Sequence, residues 1–150
     1  MRANTVRISI LALLMISAAL SAYMLAVDQD LWAFNPITYH AYALIGFVIV
    51  DLVLIGLILA RVKYATLLTM LWGGLQVVLI AGDVMTGMGI GMDPSVAFNQ
   101  YILGIRADEG PATAILMVLY ALIGIVSLVS LLALRKEHAR ESVPRSSGTA

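Results

Sequence analysis

The sequence predicts an all-α fold, a four-helix transmembrane bundle, on three observations. Four apolar runs, at about residues 6–27, 41–60, 65–82 and 111–134, are each long enough to cross a hydrocarbon core of roughly 30 Å at about 1.5 Å per residue. The composition agrees, with 61% hydrophobic and 12% charged residues and a mean hydropathy of +0.97. Soluble domains are about 45–50% apolar and about 25% charged. The third observation is where the basic residues fall. Arg2, Arg7, Arg61, Lys63, Arg135, Lys136, Arg140 and Arg145 flank the N-terminus, the second connection or the C-terminus, and only Arg106 lies in another connection. Under the positive-inside rule both termini are cytoplasmic in a multi-pass protein of the cell membrane. The connections 28–40 and 83–110 then face outward.

Residues 1–137 read as one membrane domain. The first run follows Arg2, carries Arg7 at its very start and ends near Val27. Its Ala19-Leu20-Ser21 also fits the cleavage site of a signal peptide, although the run is longer than an ordinary signal core. The second run is apolar almost throughout from Ala41 to Ala60, except for Asp51 about halfway along. A carboxylate at the centre of a span costs about 2.5–3.5 kcal/mol on insertion scales, so Asp51 is the residue the rest of the chain has to accommodate. The third run carries Gly73-Gly74 beside Trp72, a flat patch that lets a neighbouring helix approach. Trp72 lies too deep for an interfacial belt and is placed to cover the level of Asp51.

Between the third and fourth runs lies a long outer loop. Pro94 opens a stretch to Ile105 that reads as a short surface helix. Trp32, Phe34, Tyr39 and Tyr42 at one outer boundary suit an aromatic belt. The fourth run continues as a charged extension, and residues 138–150 read as a disordered cytoplasmic tail rich in Ser, Pro and Gly. A weak internal repeat pairs Tyr42–Gly46 with Tyr120–Gly124, as two duplicated helical hairpins would.

Polar residues within the runs fall on single helical faces. Thr69, Gln76 and Asp83 are spaced by sevens, as are Thr113, Tyr120 and Ser127, and Ser17 and Ser21 share a face. Counted from the run boundaries, Asp51, Gln76 and Ser17 reach the midplane together, with Tyr120 farther out and His40 and Asp83 at the outer mouth. Side chains of this kind turn toward other helices because lipid offers them no partners. As glue, Asp51 is expected to be protonated and hydrogen-bonded to Gln76. As a functional group it would handle a proton or cation, with Gln76, Tyr120 and His40 lining the route. No lysine or arginine within a run is available to pair with it, so its partner is a proton or a charge from another subunit.

Other chemistry is limited. With no cysteine, disulfide exchange and Cys-ligated clusters are excluded. The histidines, His40 and His138, lie at opposite ends and form no bis-histidine haem pair. Met85, Met88 and Met92 are soft thioether ligands, a weak Cu(I) candidate beside their ordinary role as apolar filler. No cofactor, nucleic-acid surface or hydrolytic triad is indicated, and no motif assigns the chain to a family. The expected role is a non-catalytic accessory or structural subunit of a larger membrane complex, with other membrane subunits or itself as partner besides the bilayer. The alternative is a small oligomeric proton-coupled transporter or channel using Asp51.

Overall fold

The computed structural model describes residues 3–27, 38–85 and 110–141. They form four helices: α1 (Ala3–Val27), α2 (Thr38–Leu59), α3 (Ala65–Met85) and α4 (Gly110–Glu141). Each contains a stretch long and apolar enough to cross a membrane: Asn4–Val27, Ala41–Leu59, Ala65–Gly82 and Ala112–Lys136. α2 begins three residues earlier than hydropathy marks it, and α4 continues past its apolar run into the charged stretch ending at Glu141. Helical geometry persists there because Arg, Lys, Glu and Ala are good helix formers whether or not lipid surrounds them. The surface helix at 94–105, Met88, Met92 and the tail beyond Glu141 lie outside the described residues.

The turn between α2 and α3 is set by a Schellman-type ending. The Val62 N–H donates to the Leu57 carbonyl at 3.0 Å and the Arg61 N–H to Ile58 at 3.1 Å. Arg61 takes the left-handed position with φ 57°, where glycine is the usual occupant. From α1, Arg7 donates Nη2–H to the carbonyls of Ile58 at 2.6 Å and Leu59 at 2.9 Å. The Ile58 carbonyl thus accepts from both the Arg61 N–H and Arg7, and the two carbonyls carry the negative end of the helix dipole. One cation therefore holds the start of α1 against the end of α2. Lys63 adds a cation–π contact over Tyr64 at 5.4 Å, so this end of the bundle is basic.

α1 packs along both α2 and α4, and α4 packs along α3, while the seam between α2 and α3 is the least extensive. The closest approach is between α3 and α4. A Cβ built on Gly73 would lie 2.7 Å from both the Gly124 nitrogen and the Tyr120 carbonyl oxygen. Only glycine lets the two backbones meet there. Gly74, its neighbour, faces open space.

The distribution of polarity is inverted relative to a soluble bundle. Ser17, Ser21, Asp51, Thr69, Gln76 and Ser127 are fully buried, whereas Ile49, Leu52, Val53, Val78, Ile125 and Val129 are more than half exposed. In water such a surface would be an aggregation hazard, but in hydrocarbon it is the favourable one. Outside the α2–α3 turn the described residues are all helical, and four such apolar helices are those of a multi-pass membrane protein. The repeat noted in the sequence does not extend to environment, since Tyr42 is exposed and Tyr120 is wholly buried.

Candidate functional site

Asp51 gathers one side chain from each of the other helices. Ser17 of α1 lies with Oγ 2.5 Å from Asp51 Oδ2. Tyr120 of α4 donates its hydroxyl to the same oxygen at 3.1 Å. Trp72 of α3 donates Nε1–H to Oδ1 at 2.8 Å. The carboxyl is therefore held by three groups supplied within one chain. Its apolar surroundings strengthen each of these hydrogen bonds and make any unfilled position costly.

Aromatic rings close the centre on the side away from the basic end. Phe47, one turn before Asp51 on α2, meets Trp72 edge to face at 6.0 Å and Tyr120 at 5.8 Å. Trp72 and Tyr120 are perpendicular to each other at 6.4 Å. Each such pair contributes about 0.5–1.5 kcal/mol beyond its buried area. The rings also fix the direction of the indole N–H and the phenol O–H, whose polar ends point at the carboxyl.

The proton arrangement within the cluster is informative. Ser17 Oγ lies 3.0 Å from the Leu14 carbonyl as well as 2.5 Å from Asp51 Oδ2. A hydroxyl carries a single hydrogen and can also accept. With Asp51 ionised, Ser17 donates to Oδ2. With Asp51 protonated, Oδ2–H donates to Ser17 Oγ, and Ser17 turns its own hydrogen to Leu14. Rotation of one hydroxyl satisfies both states without moving a helix.

The residues at seven-residue spacing turn inward wherever their side chains are described: Thr69, Gln76, Thr113, Tyr120 and Ser127 are all buried. One expected contact is corrected. Asp51 does not bond to Gln76, whose Oε1 and Nε2 have no hydrogen-bond partner among the described residues. Trp72 takes that place because it lies one turn nearer the basic end on the same face of α3. The signal for Trp72 was present in the sequence: a tryptophan deep in a span needs an acceptor for its N–H, and Asp51 was the unmatched acceptor.

Thr69 donates to the Ala65 carbonyl of its own helix at 2.8 Å and so takes no part in the cluster. The side chains of His40 and Asp83 lie outside the described residues, as do Met88 and Met92. Met85 is 69% exposed. Among the described residues no group of three or more His, Cys, Asp or Glu side chains converges as a metal site. No protein-family model, curated protein or solved structure matches this chain.

Proposed function

We propose that this protein handles protons within the membrane, as a small proton-coupled transporter or channel in which Asp51 takes up and releases the proton. The observation that carries this reading is the complete hydrogen-bond set available to Asp51 in either protonation state. A carboxyl serving only as a helix tie needs one such set. The pairing of Ser17 with both Leu14 and Asp51 supplies two. Tyr120 and Trp72 hold the carboxyl in place while the Ser17 hydroxyl turns.

An accessory-subunit role draws on small size, the lack of redox ligands and an Asp51 without a partner in its own chain. Ser17, Trp72 and Tyr120 supply such partners, which supports proton handling over it. The basic end defined by Arg7, Arg61 and Lys63 faces the cytoplasm on the positive-inside rule, with both chain termini on that side.

The test is proton flux in proteoliposomes, read with an entrapped pH-sensitive dye under an imposed pH gradient. The wild-type protein is expected to carry flux. Asp51→Asn, which mimics the protonated carboxyl and cannot release a proton, is expected to abolish it while still assembling. Flux unaltered by Asp51→Asn would remove Asp51 from the path. A silent wild-type protein that purifies with a stoichiometric larger membrane partner would favour the accessory role.

A further inference from the structure

Four buried polar atoms find no hydrogen-bond partner among the described residues: Gln76 Oε1 and Nε2, Ser21 Oγ and Ser127 Oγ. Two of these residues are placed in relation to Asp51. Gln76 follows Trp72 by four residues on α3, and Ser21 follows Ser17 by four on α1. Both helices begin at the basic end, where Arg7 meets Ile58 and the turn leads into Ala65. Each unpartnered group thus sits one turn farther from that end than a side chain bonded to Asp51. The Tyr120 hydroxyl, from α4, reaches the same carboxyl.

The chemistry of the unsatisfied atoms selects the guest. A carboxamide presents donors on Nε2 and an acceptor on Oε1. A metal cation would satisfy the oxygen and leave the N–H groups stranded, and an anion would do the reverse. Only a molecule that both donates and accepts answers Gln76 and Ser21 together, and water is the smallest that does. Buried waters typically make two to four hydrogen bonds to groups of this kind.

Apolar side chains fill the bundle on either side of this level: Val6, Ile10, Leu54 and Ile58 toward the basic end, and Ala41, Leu44, Ile80 and Leu116 toward the other, all buried. On the basic side Thr69 is already bonded to its own helix, and Ser127 is the unpartnered hydroxyl described there.

We infer that Gln76 and Ser21, with the Tyr120 hydroxyl, hold water one turn from Asp51. The use of that water as a proton path rests on the proton-handling role of Asp51, whereas the water site stands without it. On this arrangement a proton passes along the bound water and the Tyr120–Ser17 hydroxyls to Asp51 Oδ2.

The experiment is NMR of the ¹⁵N-labelled full chain in lipid nanodiscs, recording magnetisation transfer from water to the Gln76 carboxamide and the Trp72 indole. Gln76→Leu and Trp72→Phe assign the two signals. Water cross-peaks are expected at the Gln76 carboxamide. Gln76→Leu is expected to slow exchange of the Trp72 indole hydrogen with D₂O by about tenfold or more, the effect of removing one buried hydrogen-bonding group from a path. Ser127→Ala is expected to leave that rate unchanged. If Gln76→Leu fails to assemble, Ser21→Ala is expected to slow exchange in the same direction.

A Gln76 carboxamide with no water cross-peak overturns the water site, even where proton flux is measured. Slowed exchange in Ser127→Ala, with none in the Gln76 or Ser21 variants, overturns the part given to Gln76 and Ser21 in that exchange. Hydrated Gln76 in a protein without flux overturns the proton-handling role and upholds the water site.

Discussion

Trp72 reaches across the loosest seam of the bundle, from α3 to α2, and donates its indole N–H to Asp51 Oδ1 at 2.8 Å. Across this seam the hydrogen bond stands beside the edge-to-face contact of Trp72 with Phe47 of α2. The same ring lies edge to face with Phe47 and Tyr120, so position and donor can be separated by substitution. Trp72→Phe keeps an aromatic ring and deletes the donor. It is expected to destabilise the bundle by about 1–3 kcal/mol, the cost of leaving a buried acceptor without its donor. The measurement is reversible unfolding in mixed detergent micelles, and an unshifted midpoint would show that the bond contributes nothing.

Replacement of Asp51 separates polarity from charge. In Asp51→Asn the amide oxygen still accepts from Trp72 and the amide N–H takes the place of the protonated carboxyl toward Ser17. Only the Tyr120 hydroxyl loses an acceptor, and the expected loss of stability is about 1–2 kcal/mol. Asp51→Leu strands both the indole N–H and the phenol O–H in the interior and is expected to lose about 2–5 kcal/mol. Equal unfolding midpoints for the two variants would contradict this hydrogen-bond assignment.

The glycine pair makes a contrast between neighbours. Gly73→Ala drives a methyl group to 2.7 Å from backbone atoms of Gly124 and Tyr120, which cannot rotate away. Separation of α3 from α4 would displace Tyr120 from Asp51, with an expected loss of about 1–3 kcal/mol or more. Gly74→Ala meets nothing within 4 Å and is expected to be neutral or slightly stabilising, within about 1 kcal/mol. Thermal unfolding followed by circular dichroism of the two variants side by side would reveal whether the close approach exists.

At the basic end, Arg7→Ala removes the donor from two terminal carbonyls of α2. The expected loss is about 1–3 kcal/mol, combining the hydrogen bonds with the helix-dipole interaction. Arg61→Gly acts oppositely, because glycine adopts the φ of 57° without the strain borne by an L side chain. A gain of up to about 1 kcal/mol is expected. Destabilisation by Arg61→Gly would mean that the arginine side chain contributes more than its backbone conformation costs.

Much of the site was legible along the chain. Asp51 stood out because lipid penalises a carboxylate at mid-span, and Ser17 fell at its depth by simple counting. The seven-residue spacing of Thr69 and Gln76, and of Thr113, Tyr120 and Ser127, marked the inward faces of α3 and α4. The error over Gln76 has a definite cause. Run boundaries are good to a few residues, about one helical turn, and Trp72 and Gln76 differ by one turn on the same face. Counting therefore identified the face of α3 and missed the level on it. Tyr120, farther out by the same count, reaches Asp51 through its hydroxyl, which lies several ångströms from its Cα.

The sequence by itself determined four helices long and apolar enough to span a membrane, with an acid among them that must be buried. Hydrophobic run length and the solvation of charge are local properties that need no knowledge of neighbours. Only the tertiary structure decided that Ser17, Trp72 and Tyr120 share that acid while Gln76 stands one turn away without a partner. Partnership depends on helix register and rotation, and these are set by packing such as the Gly73–Gly124 contact and the Arg7 link to α2. Residues distant along the chain fix those features jointly, and no single stretch encodes them.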